Sequence, residues 1–595
     1  MQRLTAGAAL AAPLLFATVF TVRYGYSPLV VALHMAEVAL VCAALSGVFS
    51  ALTLGTKRAS TVRTLIALIG ATTTSLYLLA IVLSTVTNEA WGWSVSIDLA
   101  RAYLPYLPAI VGNLPVSSGL IALGIGVLVC VVIGIYWLWW NTAPHFVSAA
   151  AHARPVAIGV LVALLGAFIL VARRSPAAAA EPLTALFTAP GAANVEQARV
   201  GNIRARHEYT AVSTRSDRPN VILIFSDALR ADHMGVYGYA RQTTPFLSHL
   251  DSSGHLRKVR LAMATCPFTA CGVLSTLASR DSAVLDLGSL KLEDVLHDRG
   301  YRVNFIGSSD QTVWYTLRLH YGDNVDYFFD GFHSKRFSLN DDRLVLEGIE
   351  GVPAAGRDPA FFFFFLSATH PVGTKRPEFR RWIPAEVSVG SGTAVPQTNA
   401  YDNGILQADN TIQQILAALD YKGYLTGSIV VILGDHGDGF GEHGVFGHTR
   451  YLYQEMLHIP LLIYDDSPAT YANLDFATQS DIAPTLLDRL GLPSPRQWQG
   501  QSLLSRPAKQ FSTHWTDRGR PWHAVLYRDR ERIYKYMYVV RWGTRAEELY
   551  ELSSDPAERM NLIAANGLDE VRSLLRMRAA ARWPDDFDQG STSGH

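Results

Sequence analysis

The sequence predicts an α-helical membrane domain of five spans, followed by an α/β domain with a mainly parallel central sheet. Three observations predict this. Only 10 of the first 172 residues are charged, against 92 of the remaining 423. The first part contains five long apolar runs. The second part contains short apolar runs that end in serine, aspartate or histidine, which is typical of strands buried on both faces of a sheet.

Overall charge excludes one class of function. The chain has 595 residues, with 51 basic and 51 acidic side chains, so its formal net charge is zero. A protein that binds nucleic acid by releasing counterions needs a basic excess. We therefore expect no nucleic-acid partner.

The five apolar runs are each close to the 20 or so residues that a helix needs to cross a bilayer. They cover residues 4–22, 28–54, 64–86, 117–140 and 155–172. The first run resembles a signal peptide. Because four more runs follow it, we interpret it as a retained helix of an integral membrane protein.

The short loops indicate the orientation of these spans. Lys57, Arg58 and Arg63 lie between the second and third runs, without an acidic residue. Basic loops stay in the cytoplasm. With an odd number of spans, the globular part then lies outside, which predicts a multi-pass protein of the inner (plasma) membrane with an external or periplasmic catalytic domain.

These features divide the chain into four predicted parts. The transmembrane domain covers residues 1–172 and a linker with short helices covers 173–218. The α/β domain covers residues 219–575, and a polar tail covers 576–595.

Within the α/β part, the strand ends carry the first functional signal. Predicted strands Val221–Phe225, Phe361–Leu366 and Ile429–Leu433 are followed by residues that include aspartate or histidine. Runs at Val303–Ile306 and Ile459–Tyr464 add two more strands. Sites in such sheets form beyond the carboxyl ends of the strands.

Four of these side chains have the chemistry of metal ligands. Asp227 follows the first strand, Asp435 and His436 follow another, and His448 ends the glycine-rich string GDHGDGFGEHGVFGH that begins at Gly434. Carboxylate and imidazole together suit zinc, and also manganese. The glycines permit positive φ and close backbone approach, which a binding loop needs.

Several segments together resemble the sulfatase-like branch of the alkaline phosphatase superfamily. Residues 219–239 (PNVILIFSDALRADHMGVYGY) and 243–247 resemble its opening, and residues 369–371 its middle histidine motif. Residues 434–448 with 459–463 resemble its second metal motif, and residues 548–562 its closing strand and turn. Membrane spans before such a domain are similar to those of bacterial phosphoethanolamine transferases and lipoteichoic acid synthases.

The resemblance implies a nucleophile bound to a divalent metal. True sulfatases have a Cys or Ser in a Cys-x-Pro-x-Arg setting, which neither Cys266 nor Cys271 matches. Alignment on the helix that follows places Thr269 at the nucleophile position of the transferases. Thr265 and the two cysteines remain alternatives, and the cysteines could instead form a disulfide.

The resemblance also implies roles for other residues. One metal ion, zinc first and manganese second, would be held by Asp227, Thr269, Asp435 and His436. His370 and His448 would contact phosphate oxygens or protonate the leaving group. Arg230 could hold a phosphate or brace the Asp227 loop.

Two positions depart from the family pattern. Sulfatases usually have a second carboxylate where this chain has Ala228. The transferases often have glutamate where this chain has Asp227. The sequence thus combines a sulfatase-like first motif with a transferase-like nucleophile.

We therefore predict a membrane-bound enzyme that moves a phosphoethanolamine or phosphoglycerol headgroup, through a phosphothreonine, from a membrane phospholipid donor to an envelope lipid or glycan acceptor. The first alternative is a sulfatase or phosphodiesterase of the same fold. The second is a non-catalytic membrane regulator that binds lipid.

Overall fold

The computed structural model describes residues 59–91, 129–141, 195–215, 217–281, 288–312, 317–332, 334–385, 394–467, 470–505, 508–516, 521–541 and 544–588. The chain divides into two compact units, one of residues 1–111 and 116–193 and the other of residues 112–115 and 194–595.

In the first unit, two apolar helices are described. One helix, Ala59–Trp91, contains a stretch long and apolar enough to cross a membrane, Ser60–Leu79, and it is the one such stretch among the described residues. The shorter helix Val129–Asn141 is also apolar. The predicted spans at 4–22, 28–54 and 155–172 lie outside the described residues, so the five-span domain stays a prediction.

Contacts between these two helices explain one difference from the predicted loop at 55–63. The helix already begins at Ala59, so Arg63 is helical. Its Nε donates to the Trp140 carbonyl at 3.0 Å, and its guanidinium lies 4.4 Å from the centre of the Trp140 ring. The Trp139 ring packs against Gly70, and its Nε1 donates to Thr74 Oγ1 at 3.0 Å. These contacts give Arg63 and Thr74 polar partners on the second helix.

In the second unit, sixteen strands are described. In chain order they are β1 (Val221–Ser226), β2 (Leu256–Lys258), β3 (Leu261–Met263), β4 (Arg302–Gly307), β5 (Tyr327–Phe329), β6 (Ala360–Leu366), β7 (Ile429–Gly434), β8 (Gly439–Phe440), β9 (Phe446–Gly447), β10 (His458–Ile459), β11 (Leu461–Asp465), β12 (Phe476–Thr478), β13 (Phe511–Thr516), β14 (Trp522–Asp529), β15 (Arg532–Arg541) and β16 (Thr544–Glu551).

The α-helices of this unit lie before, between and after the strands. They are Val195–Glu208, Pro245–Ser252, Thr269–Ala278, Leu292–His297, Leu317–Tyr321, Arg343–Glu350, Ala394–Tyr421, Gln454–Leu457, Ile482–Arg489, Asp569–Arg582 and Asp585–Asp588. Short 3-10 turns lie at Ala231–His233, Gly235–Tyr237, Pro377–Phe379, Glu442–Gly444 and Gln479–Asp481.

A seven-stranded sheet in the order β2-β11-β7-β1-β6-β4-β5 forms the centre of the unit. Strands β7, β1, β6, β4 and β5 are parallel to one another, and β11 is antiparallel to both β7 and β2. This confirms the predicted α/β class with a mainly parallel sheet. A four-stranded antiparallel sheet, β13-β14-β15-β16, follows near the C-terminal end.

The central strand β6 shows why its residues form a buried strand. Its five consecutive phenylalanines, Phe361–Phe365, are each at most 1% exposed. Side chains alternate between the faces of a strand. Accordingly Phe361, Phe363 and Phe365 pack in one core cluster, and the other two pack in a second cluster on the opposite face.

Two predicted boundaries differ from the structure. The run at Ile459–Tyr464 is two strands, because Pro460 has no N–H to donate and separates β10 from β11. The polar tail predicted from residue 576 is instead helical as far as Arg582. Leu575 and Ala579 lie one helical turn apart and are fully buried in a cluster with residues of the C-terminal sheet.

Candidate active site

Three neighbouring parallel strands end at the same level, and the candidate site begins there. The last residue of β1 pairs with the last residues of both β6 and β7. Asp227 and Asp435 directly follow β1 and β7, so they leave the sheet side by side. Both carboxylates and the adjacent His436 imidazole are fully buried.

The side chains of Asp227, Asp435 and His436 converge on one point. One possible ligand atom from each lies within 4.8 Å of the other two. His436 Nε2 is 3.6 Å from Asp227 Oδ1 and 3.5 Å from Asp435 Oδ2.

Hydrogen bonds around the cluster leave its inner atoms available to a cation. His436 Nδ1 lies 2.8 Å from the Gly437 carbonyl, and because a carbonyl only accepts, Nδ1 carries the proton and Nε2 keeps its lone pair. Asp435 Oδ1 accepts the N–H groups of Ala228 and His436 at 2.9 and 2.8 Å. The buried Asp435 Oδ2 has no hydrogen-bond partner among the described residues. This donor set fits a divalent metal ion, zinc or manganese.

Thr269 lies directly against this cluster. Its Oγ1 is 3.2 Å from His436 Nε2 and 3.5 Å from Asp227 Oδ1. Thr269 is the first residue of a ten-residue helix, and the N-terminus of a helix favours a nearby anion. The hydroxyl is therefore placed beside the metal ligands and at the end of the helix that would face a phosphate.

Gly272 explains how this helix comes so close to the cluster. A Cβ at Gly272 would lie 2.2 Å from the carbonyl oxygen of Asp435. Since real contacts of a Cβ atom are never that short, any larger residue would move either the helix or the Asp435 loop. The absence of a Cβ at Gly272 thus permits the short distance between Thr269 and the cluster.

A disulfide between Cys266 and Cys271 closes the chain around Thr269. Both sulfurs are fully buried and pack with Phe268 and Trp515. The disulfide that the sequence left open is therefore present. Neither cysteine is a thiol in this structure, whereas the Thr269 hydroxyl faces the cluster.

His448 and His370 extend the site away from the cluster. The ring centres of His436 and His448 are 4.3 Å apart, and those of His448 and His370 are 5.2 Å apart. His448 Nδ1 lies 3.0 Å from the buried Asp438 carboxylate, which orients its ring. Burial, and then the neighbouring His448 imidazole, lowers the pKa of His370 well below its ordinary value.

Arg230 lies next to the cluster, and each of its guanidinium nitrogens donates a hydrogen bond. Its Nε and Nη2 donate to Asp232 at 2.9 and 2.8 Å. Its Nη1 donates to the Asp438 carbonyl and to Glu442 Oε1 at 2.9 and 2.8 Å. Of the two roles considered for Arg230, these contacts favour bracing of the loops that carry Asp227 and Asp438.

Ala228 adopts an unusual backbone conformation in this loop. Its φ is 59°, in the left-handed region that an alanine seldom adopts. In return its N–H reaches Asp435, and its carbonyl accepts the Tyr401 hydroxyl at 2.7 Å. Strain of this kind concentrates at functional sites.

Two further residues support the site and were not found by sequence reasoning. Lys375 Nζ donates to the carbonyls of Ala368, His370 and Gly373, and so fixes the turn that carries His370. Burial lowers the pKa of Lys375 to about 8. Because its partners are main-chain carbonyls, no residue pattern marks them.

Gln479 connects the two halves of the cluster. Its Nε2 donates to the Asp435 carbonyl at 2.6 Å, and its Oε1 accepts the Thr265 N–H at 3.0 Å. One buried amide thus ties the metal-ligand loop to the segment that leads into Thr269.

Comparison with known proteins finds similarity to sulfatases and to a phosphoethanolamine transferase. Residues 219–492 match the family model Sulfatase, and residues 441–582 match N-sulphoglucosamine sulphohydrolase, C-terminal. Arylsulfatase K of Bos taurus is 31% identical over 195 residues, which is 30% of this chain and 35% of that protein. Kdo(2)-lipid A phosphoethanolamine 7''-transferase of Escherichia coli is 24% identical over 258 residues, 42% of this chain and 44% of that protein.

One solved structure adds support for the fold. The crystal structure of yidJ, a sulfatase candidate from Bacteroides fragilis, aligns with a TM-score of 0.50 at 17% identity and covers 63% of this chain and 98% of that chain. The two curated relatives, in contrast, are matched over less than half of their own length.

The close contact at Gly272 generates a first prediction. Gly272→Ala should destabilise the folded chain by about 1–3 kcal/mol, because the added methyl group overlaps the Asp435 carbonyl. Chemical unfolding of the full-length protein measures this. Gly356→Ala is the matched control, since a Cβ there meets no atom within 4 Å. Equal stability of the two variants would contradict the close packing.

His443, seven residues after His436, generates a prediction about pH. Its Nδ1 lies 2.8 Å from Glu455 Oε1 and its Nε2 3.0 Å from the Glu558 carbonyl. Both partners accept, so the imidazolium form is favoured, and the hydrogen bond to Glu455 raises the pKa of His443 to about 9. The stabilisation is complete below the unfolded pKa of about 6.5 and is lost as the pH rises through about 9.

The thermal midpoint of full-length protein should therefore exceed that of His443→Gln clearly at pH 6 and only slightly at pH 9.5. His249→Gln, at an exposed position, is the control and should stay close to wild type at both pH values. A gap between wild type and His443→Gln that stays constant or widens with pH would exclude the charged pair.

Proposed function

We propose a transferase function for this chain, which is an enzyme of the alkaline phosphatase superfamily with a sulfatase-family domain at residues 219–492. In this proposal the enzyme moves a phosphoethanolamine or phosphoglycerol headgroup from a membrane phospholipid to a lipid or glycan of the cell envelope. The protein would lie in the inner membrane with the catalytic domain outside. Similarity to the lipid A phosphoethanolamine transferase supports the choice of substrate class.

One observation carries the proposal: Thr269 Oγ1 lies 3.2 Å from His436 Nε2, among the candidate metal ligands. Asp227, Asp435, His436 and Thr269 would hold one divalent metal ion, zinc or manganese. Such an ion lowers the pKa of an oxygen ligand by several units and so supplies a nucleophile at neutral pH.

The remaining chemistry belongs to the chain's own residues. In the first step, Thr269 Oγ, which has lost its proton to solvent, forms a bond to the phosphorus of the donor, and the bond from phosphorus to the diacylglycerol oxygen breaks. His448 would donate a proton to that leaving oxygen, and His370, whose lowered pKa keeps it neutral, would contact the phosphate oxygens. In the second step, an acceptor hydroxyl attacks the phosphothreonine and gives its proton to His448, and the Oγ–P bond breaks and releases the Thr269 oxygen. A covalent intermediate divides the transfer into two in-line displacements.

A hydrolase is the second candidate, and specific observations favour it. The match of residues 441–582 is to a sulphohydrolase family, and the arylsulfatase relative has the higher identity. In that case water replaces the acceptor alcohol in the second step. Against a formylglycine sulfatase stands the disulfide, because oxidation to the aldehyde needs an unpaired cysteine at that position.

The proposed nucleophile is tested by substitution. Thr269→Ala should reduce turnover of bis(p-nitrophenyl) phosphate by roughly three orders of magnitude or more, because no other hydroxyl takes the place of the attacking oxygen. Thr265→Ala, four residues earlier, is the matched control and should stay close to wild type.

Mass spectrometry of the peptide 260–280 after incubation with phospholipid donor tests for the covalent intermediate. A phosphoethanolamine or phosphoglycerol group on Thr269 supports the proposed mechanism, and its passage to an added alcohol instead of water supports transfer over hydrolysis. A formylglycine at Cys266 or Cys271, or full activity in Thr269→Ala, would refute the proposed mechanism.

Metal removal tests the cluster. Chelation should abolish turnover, and zinc or manganese should restore it in wild type. Asp435→Asn should lower the bound metal measured by elemental analysis, because it removes one charge from the ligand set. Asp251→Asn, at a partly exposed ion pair with Lys258, is the control. Unchanged metal content in Asp435→Asn would exclude this cluster as the site.

A further inference from the structure

A second cavity lies apart from the candidate active site. Its volume is about 610 Å³, and its walls include Arg218, Arg299, Tyr301 and Leu490. None of the four candidate metal ligands lines it. Cavities of this size commonly bind small molecules. We call it the connector cavity, since most of its lining residues belong to the predicted linker.

The connector cavity carries an excess of positive charge. Arg206 is paired with Asp298, and Arg215 donates to Asp217 at 2.7 Å. Arg218 and Arg299 also line the cavity and have no carboxylate partner among the described residues. Two guanidinium charges are therefore not compensated.

These two guanidinium groups are held in place without being neutralised. Arg218 Nη2 donates to the Arg299 carbonyl at 2.8 Å, and Arg299 donates to the carbonyls of Ala211 and Asp298. Arg299 Nε is buried and has no acceptor among the described residues. The Arg218 guanidinium lies over Tyr301, and its Cζ is 5.7 Å from the centre of the tyrosine ring. Guanidinium groups with free donors are the usual partners of phosphate.

The cavity also has an apolar part. Leu490 and Leu492 are buried in its wall, and Val212 is 81% exposed in the same lining. An exposed valine beside two uncompensated arginines does not suit inorganic phosphate, which is polar on every side. It suits an amphiphile whose phosphate meets the arginines and whose acyl part meets the valine.

We propose that the connector cavity binds the phosphate of an anionic phospholipid and thereby holds the connector at the bilayer surface. The inference rests on the proposed function in one respect, that the chain works at a membrane. The site is distinct from the one at Thr269, and it holds lipid without transforming it.

The test uses full-length protein in a neutral detergent and monomeric dihexanoylphosphatidylglycerol, titrated by calorimetry. Inorganic phosphate and dihexanoylphosphatidylcholine are the comparison probes. Arg218→Gln/Arg299→Gln should weaken binding of the anionic lipid at least tenfold. The matched control, Arg199→Gln/Arg336→Gln, removes the same charge from two exposed ion pairs and should stay within twofold of wild type.

Val212→Asn provides a second, uncharged variant at an exposed position. It should weaken lipid binding at least threefold and leave phosphate binding unchanged, because it removes apolar contact without adding charge. Equal weakening in both double variants would show non-specific surface charge and overturn the proposal. Inorganic phosphate binding as tightly as the lipid would show a simple anion site and would also overturn it.

Turnover of bis(p-nitrophenyl) phosphate separates this proposal from the proposed function. The double variant Arg218→Gln/Arg299→Gln should keep wild-type turnover of this soluble ester, which shows that it is folded. If the wild-type protein binds the lipid without turning over the ester, and the double variant binds the lipid less tightly, the proposed function fails and the connector site stands.

Discussion

The candidate site depends on the common level at which three parallel strands end. Strands β1, β6 and β7 pair residue for residue, so the segments that follow them leave the sheet together. Asp227, Asp435 and His436 are brought together by this register alone. Because both carboxylates are buried, the repulsion between Asp227 and Asp435 is costly unless a cation or protons compensate it. The Asp435 Oδ2 atom, which has no hydrogen-bond partner among the described residues, is available to such a cation. The nucleophile, the histidines and the supporting amides are arranged around this point.

Sequence reasoning succeeded where periodicity and strand ends determine the structure. The buried strands and the meeting of Asp227 with Asp435 follow from apolar runs and from the geometry of parallel sheets. The position of Thr269 required the family resemblance, because nothing in its own segment distinguishes it from Thr265. Lys375 and Gln479 were not predictable, since their bonds are to main-chain groups that every residue has. The end of helix Asp569–Arg582 was missed because only Leu575 and Ala579 are buried in it, and two buried positions in a charged segment give a weak signal.

The site combines features of two kinds of relatives. Its overall fold and its match over residues 219–492 are those of sulfatases. The group that lies against the metal-ligand cluster is the Thr269 hydroxyl, the proposed nucleophile, and the sulfurs beside it are joined. The position where sulfatases usually have a second carboxylate is Ala228, whose main-chain N–H supports Asp435 instead of supplying another charge. A site with fewer carboxylates carries less negative charge, which suits a single dication and an anionic phosphodiester.

The bond between Cys266 and Cys271 has a consequence for how the enzyme matures. Such bonds are rare in compartments where glutathione and thioredoxin keep thiols reduced. With the catalytic domain outside the membrane, as proposed, the loop around Thr269 would reach its final form only after export, when the surrounding chain meets thiol oxidants. Until then the segment that carries the proposed nucleophile would lack its covalent tie, so a newly synthesised chain would not act on membrane lipids before export.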